Sequence, residues 1–190
     1  AAIKIESAID EVDELLERSA FKQANKKLDI LIKKQPKHPQ IQFMMGVLFI
    51  RQNKLDEAIP FFEAAIEISP NLTEARFNLA VVYKEKLDIA NMLKGFQGVV
   101  QFGEPHDPLV QQAQGILDDM EETVREIEGV DLQTYTKSNE IFDAAFNLMK
   151  NDELEKAIEL FEEVISLSGR NPKPHGNLGI CYSRQGKKQR

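Results

Sequence analysis

Residues 40–70 read QIQFMMGVLFIRQNKLDEAIPFFEAAIEISP, and this stretch decides the fold of the chain. Apolar residues recur at three- and four-residue spacing on both sides of Asn53-Lys54, which is the spacing of one helix face. Pro70 lies at the end of the stretch, where a helix must stop. We therefore predict two helices joined by a short turn.

The same pattern recurs along the chain every 34 residues. Small residues mark the period in three pairs: Ala24 and Ala58, Gly46 and Ala80, and Ala145 and Gly179. A fixed period of this size is typical of helical repeat arrays, in which each hairpin has an apolar face that only its neighbour can bury. Further turns are expected at Asn151-Asp152 and at Gly186, and further unit ends at Pro36, Pro105 and Pro172.

These residues resemble the tetratricopeptide repeat family. The stretch 40–70 carries the resemblance through Gly46, Phe49, Ala58, Phe62 and Pro70. The unit that starts at Ser138 is similar through Ala145, Leu148, Ala157 and Phe161. The resemblance implies an all-α, right-handed superhelical solenoid of helix-turn-helix hairpins.

Laid along the chain, the period predicts two arrays of hairpins. The N-terminal array covers 1–106 and consists of a degenerate first unit followed by units 39–72 and 73–106. The second helix of the unit that starts at Thr73 is degenerate, because Met92 stands where Ala is expected. The C-terminal array covers 138–190 and consists of unit 138–171 and the incomplete unit 172–190.

The repeat register breaks over residues 107–137. Helical apolar spacing runs through DPLVQQAQGILDDMEETVREIEG without a turn, so we predict one long, acidic, amphipathic helix that interrupts the solenoid. Asp107 is a candidate N-cap, Pro108 a first helical residue and Gly129 a C-terminal stop. We expect the following residues 130–138, VDLQTYTKS, to form a loop. This segment either replaces a repeat or links the two arrays.

The resemblance also implies where a partner binds, because in this family the first helices of the hairpins line a concave groove. The matching positions in this chain are Phe43, Val47, Ile50, Arg51, Phe77, Asn78, Val81, Lys84, Phe142, Asp143, Phe146, Met149, Asn177, Ile180 and Arg184. Asn78 and Asn177 stand where relatives hold a ligand backbone with an amide. The clamp that other members use for a terminal carboxylate is not expected, because Phe43 and Val47 occupy its places.

The first helix of unit 39–72 is apolar on all sides, so Phe43, Val47 and Ile50 need a cover. Neighbouring helices or the N-terminal helix of the chain could supply it. An amphipathic helix or an apolar peptide of a partner is the functional alternative, and self-association is a third. The acidic stretch 104–131 and the basic stretch 170–190 are either solvated faces or complementary surfaces of two molecules.

Composition narrows the function classes. The net charge of −7 argues against a nucleic-acid partner, and no apolar run is long enough to span a membrane. Cys181 is the one cysteine; we expect a packed thiol and a reducing compartment such as the cytoplasm, with a removed leader left open. His38, His106 and His175 stand apart beside prolines, and no catalytic, phosphate-binding or metal motif is found.

These observations favour a non-enzymatic scaffold or adaptor without metal or cofactor, which binds a protein or peptide partner in an apolar groove. A regulatory or substrate-recruiting domain of a larger enzyme is one alternative. A self-assembling scaffold, and hence a homo-oligomer, is the other.

Overall fold

The computed structural model describes residues 5–168 and 170–188, and these residues contain helices and turns but no strand. The helices are α1 (Ile5–Glu17), α2 (Phe21–Lys34), α3 (Pro39–Arg51), α4 (Leu55–Ile68), α5 (Thr73–Glu85), α6 (Ile89–Phe102), α7 (Pro108–Glu128), α8 (Leu132–Lys150), α9 (Leu154–Leu167) and α10 (Lys173–Lys188). The predicted all-α fold of helical hairpins is confirmed.

The same turn closes four hairpins. Its central residue has a positive φ of 56° to 67° at Ser19, Asn53, Leu87 and Asp152. In each case the next backbone N–H donates to the carbonyl five residues earlier, for example from Lys54 to the oxygen of Phe49 at 2.9 Å. Such a bond satisfies an orphan carbonyl at the end of the first helix. The turns predicted at Asn53 and Asp152 are confirmed, and the turn at Ser19 shows that the degenerate first unit is a complete hairpin.

Large apolar residues of the second helices pack against the first helices of the same hairpins. Leu28, Phe62, Phe96 and Phe161 are all fully buried. A small residue on the first helix makes room for them: a Cβ at Gly46 would lie 2.6 Å from the ring of Phe62. Close packing of this kind fixes the distance between the two helices of the hairpin.

The chain divides into two compact units, one up to Gly115 and one from Ile116 onward, and the division falls inside α7. In the first unit, one core cluster is centred on α1–α3 and another on α4–α5. The second unit has a cluster of α8, α9 and α10 that includes the buried thiol of Cys181. The assignment of 1–106 and 138–190 as two separate arrays stays a prediction.

The long helix is present as α7, with 21 residues from Pro108 to Glu128. Its N-terminus is capped as predicted, because Oδ1 of Asp107 accepts a hydrogen bond from the N–H of Leu109 at 2.8 Å. Gly129 follows the helix with a φ of +73°, a conformation that suits glycine.

The loop expected at residues 130–138 is wrong, because α8 already begins at Leu132. Two carboxylates cap this helix: Asp131 accepts from the N–H of Thr134, and Glu121 from the N–H of Leu132, both at 2.7 Å. The pKa of Glu121 is lowered by its hydrogen bond from Arg125 and by the Leu132 N–H, and that of Asp131 by the Thr134 N–H. Helix capping therefore outweighs the weak helix propensity of the threonines.

The turn expected at Gly186 is also wrong, since α10 continues through it to Lys188. Nothing in the structure lies within 4 Å of a Cβ built at this glycine. Glycine here lowers helix propensity without ending the helix.

Candidate functional site

The predicted groove residues of α3 are partly covered by the chain itself. Phe43 and Val47 are half-buried and pack against the α1–α3 core cluster and the α4–α5 core cluster. Ile50 packs against the α4–α5 cluster. The ring centroid of Phe43 lies 5.9 Å from that of Phe62. Cover by neighbouring helices thus accounts for part of this apolar face.

The equivalent residues of α5 follow the same pattern. Phe77 is half-buried and meets Phe96 edge-on, with 5.4 Å between the ring centroids. Val81 is half-buried and Lys84 is exposed. The amide Nδ2 of Asn78 donates to the backbone oxygen of Glu74 at 2.8 Å, so one of its donors is used within its own helix.

In the second unit two groove residues leave a large apolar side chain in water. Phe146 on α8 is 38% exposed and Ile180 on α10 is 49% exposed, and they are 34 residues apart. Phe146 stacks on Phe142 with ring centroids 6.4 Å apart, and the Lys150 ammonium lies 5.5 Å from the Phe146 centroid. Helices α8 and α10 contact each other, so these side chains belong to adjacent helices.

Other predicted groove residues of the second unit serve its internal packing. Met149 is only 6% exposed and belongs to the core cluster, so its assignment to a binding surface is wrong. Arg184 donates to the backbone oxygen of Met149 at 2.8 Å and to Asp152 at 2.9 Å, which ties α10 to the end of α8. Asn177 donates to the backbone oxygen of Lys173 at 3.2 Å, whereas Asp143 is exposed.

Arg51, a predicted groove residue, lines a cavity of about 800 Å³ beside the turn between α3 and α4. We call this cavity the basic pocket, and its lining residues are Phe21, Lys22, Asn25, Phe49, Arg51, Gln52, Asn53 and Lys54. The other seven were missed from the sequence, because they lie on two hairpins and share no helix face.

Two polar contacts recur between successive hairpins. Tyr83 lies 3.5 Å from Glu63, and 99 residues later Tyr182 donates to Glu162 at 3.1 Å. The pKa of Tyr182 is raised chiefly by this hydrogen bond. The second contact joins Lys86 to Asp56, and its counterpart joins Gln185 to Glu155 at 3.0 Å.

Other features of the described residues bear on the remaining predictions. No group of three His, Cys, Asp or Glu residues within them is placed to hold a metal ion, and none of their helices is long and apolar enough to cross a membrane. His106 and His175 are exposed as expected. His38 is half-buried, and its Nδ1 has no hydrogen-bond partner in the part of the chain described. The predicted packing of Cys181 is confirmed, and burial raises the pKa of its thiol.

Comparison with known proteins agrees with the repeat pattern. The profile described as Tetratricopeptide repeat matches residues 9–73. The chloroplastic tetratricopeptide repeat domain-containing protein PYG7 of Arabidopsis thaliana is 30% identical over 120 residues, which make up 61% of this chain and 38% of that protein.

Solved structures match most of this chain at low sequence identity. The TPR domain of P58(IPK) matches 97% of this chain and 56% of its own, with a TM-score of 0.55 and 15% identity. A double mutant of MamA matches 97% of this chain and 86% of its own, with a TM-score of 0.48 and 16% identity. The chain thus spans less than two thirds of PYG7 and of the P58(IPK) chain.

Proposed function

Because this chain carries tetratricopeptide repeats, we propose that it is a protein-interaction scaffold. The first helices of its hairpins bind an apolar segment of a partner, which is either an amphipathic helix or an apolar peptide. The proposal extends to a non-catalytic role without metal or cofactor, and to a protein rather than a nucleic-acid partner, which the net charge of −7 supports.

The observation that carries the groove proposal is the exposure of Phe146 and Ile180 at equivalent positions of adjacent helices. Fully burying a side chain of this size contributes roughly 1.5–3 kcal/mol, so covering the exposed part of each is worth about 1 kcal/mol. An amphipathic helix presents apolar side chains along one face, at three- and four-residue spacing. On the same helix as Phe146, Lys150 lies near its ring and Asp143 is exposed, so charged groups are available to a partner.

In the first unit the corresponding positions are Val47 and Val81, which are half-buried and smaller. The exposed cations of Arg51 and Lys84 lie in the last turns of their helices. We therefore expect an apolar partner segment to bind more tightly to the second unit than to the first.

Self-association is the second candidate, because the same exposed side chains could bind another copy. Tyr182, two residues after Ile180 on α10, is also 51% exposed. Light scattering at rising protein concentration distinguishes the two functions: a constant monomeric mass eliminates self-assembly and leaves the scaffold. The free, buried thiol of Cys181 supports a reducing compartment, and we propose that the protein is located in the cytoplasm.

The test uses the double variant Phe146→Asp/Ile180→Asp. Its matched control is Leu87→Asp/Ile127→Asp, which places the same two charges on side chains that are 81% and 66% exposed and lie outside the groove positions. Proteins captured from an extract by the wild type are quantified by mass spectrometry, and the main ones are purified and titrated by calorimetry. Far-UV circular dichroism confirms that each variant is helical.

A groove partner is lost with the first variant and retained with the control. Equal capture by the two variants would refute the groove. Phe43→Glu is unsuitable for this test, because Phe43 packs against Phe62 and the change would disturb the core.

A further inference from the structure

The basic pocket carries three cations without an opposing acid. Lys22, Arg51 and Lys54 all line it, and none forms an ion pair with any of the residues described. Asp29, which stands 34 residues before Glu63 in the repeat, accepts a hydrogen bond from Asn25 at 3.0 Å. In a chain whose net charge is −7, three cations around one cavity are a local reversal of charge.

The pocket is open because a recurring contact is missing there. Lys22 and Gln52 stand 34 residues before Asp56 and Lys86, which contact each other in the next seam between hairpins. The corresponding pair in the second unit, Glu155 and Gln185, is hydrogen-bonded. At the pocket a lysine replaces the acid, so this pair of side chains cannot form the same bridge.

The second recurring contact is also missing at the pocket. Phe49 stands where Tyr83 and Tyr182 place a hydroxyl against a glutamate. The Phe49 ring instead stacks on Phe61 with centroids 5.3 Å apart, and the Lys54 ammonium lies 5.9 Å from its centroid. The seam between α2 and α3 therefore lacks both polar contacts that recur between α4 and α5 and between α9 and α10.

We propose that the basic pocket binds an acidic segment of a partner polypeptide. Lys22, Lys54 and the guanidinium of Arg51 receive its carboxylates, and the guanidinium can hold one carboxylate through two parallel hydrogen bonds. The rings of Phe21 and Phe49 form an apolar part of the lining that suits an adjacent side chain.

A peptide segment fits better than a single small anion. A volume of about 800 Å³ is large enough for a ligand of many atoms. The aromatic and cationic lining residues suit a peptide that carries both acidic and apolar side chains. The pocket is distinct from the apolar groove proposed for Phe146 and Ile180, so the two sites are tested separately.

The experiment measures the fluorescence anisotropy of a labelled, capped pentapeptide of sequence EDFDE, with the neutral peptide QNFNQ as its control. We expect EDFDE to bind at low salt and to weaken by about tenfold between 0.05 M and 0.5 M salt, because the cations are solvent-accessible. Lys22→Ala/Lys54→Ala should weaken binding by about tenfold or more. The matched control Lys33→Ala/Lys34→Ala removes two exposed cations at the other end of α2 and should change the affinity by less than about twofold.

A second variant keeps the proposal testable without truncating side chains. Lys22→Asp/Gln52→Lys rebuilds the pair that Asp56 and Lys86 form in the next seam. It should remain fully helical, close the pocket and abolish binding of EDFDE. The groove variant Phe146→Asp/Ile180→Asp should bind EDFDE as the wild type does.

Three results would overturn the proposal. QNFNQ binding as tightly as EDFDE would show recognition of apolar surface rather than charge. An equal loss in the Lys33/Lys34 control would show an effect of net charge alone. Competition by inorganic phosphate as strong as that by unlabelled EDFDE would show a small-anion site instead of a peptide site.

Discussion

Alanine at two glycines of the same repeat position should change stability in opposite directions. Gly46 on α3 and Gly179 on α10 both occupy the small-residue position of the hairpin. A Cβ at Gly46 would lie 2.6, 2.7 and 2.8 Å from three ring atoms of Phe62, whereas at Gly179 nothing lies within 4 Å. The two substitutions thus share the change in helix propensity and differ in packing.

The propensity term favours alanine at both positions by about 1 kcal/mol, because glycine loses more backbone entropy in a helix. At Gly46 an overlap must be relieved against a ring that is fully buried and also touches Phe43. Overpacking of this kind costs about 1–3 kcal/mol. We expect Gly46→Ala to lower the free energy of unfolding of the first unit by about 1 kcal/mol, and Gly179→Ala to raise that of the second unit by up to about 1 kcal/mol.

Urea denaturation followed by circular dichroism measures the change in the free energy of unfolding of the protein. Hydrogen exchange with mass spectrometry assigns that change to α3–α4 or to α8–α10. A change of 1 kcal/mol shifts the melting temperature of a unit of this size by about 4–8 °C. A Gly46→Ala variant as stable as the wild type would show that the ring of Phe62 can move, and the close approach of α3 and α4 would then not depend on glycine. Destabilisation by Gly179→Ala would show that α10 is packed where the structure leaves it open.

Three further predictions concern turns, the thiol and a cap. Leu87→Asn should raise unfolding free energy by about 1 kcal/mol and Asn53→Leu should lower it similarly, because both positions require a left-handed φ; equal melting temperatures would refute this. Cys181, whose pKa is raised by burial, should react with an aromatic disulfide about tenfold or more slowly in the native protein than in urea; equal rates would place the thiol at the surface. The lowered pKa of Glu121 implies stability that is present above the unfolded pKa of about 4.3 and lost as pH falls through the folded pKa. The difference in melting temperature between wild type and Glu121→Gln should therefore shrink below about pH 4, and a difference that grows there would refute the cap.

The elements that follow from local pattern could be predicted from the sequence. The spacing of apolar residues predicts the hairpins, and the small residues reveal the repeat period. Phe62, Phe96 and Phe161, which match the repeat pattern, are buried in the core. Even Met92, where alanine is expected, is buried in α6. There the opposing space comes from Gly95, whose Cβ would lie 2.7 Å from that of Ala80. Both residues of this close approach are small, Ala80 on α5 and Gly95 on α6.

The elements that depend on distant partners could not be predicted. The start of α8 rests on its N-cap Asp131 and also on Glu121, which is eleven residues before the N–H that it caps. The burial of Met149 and the contacts of Arg184 depend on the approach of α10 to the end of α8. A repeat template assigns both residues to a groove, because it describes the helix face and not the partners of an individual side chain.

The basic pocket shows which signal in a repeat sequence bears on a binding site. Taken one at a time, Lys22, Gln52 and Phe49 do not indicate a binding site, since residues of these types are common on or near a helix surface. The binding site is indicated only when residues at paired repeat positions of successive hairpins are compared. These pairs are Lys22 with Gln52, Asp56 with Lys86, and Glu155 with Gln185. Two of these pairs close their seams with polar contacts, and the third leaves donors without acceptors. Since a solenoid is stabilised by repeating the same contacts, a seam that omits them has donors available for another molecule.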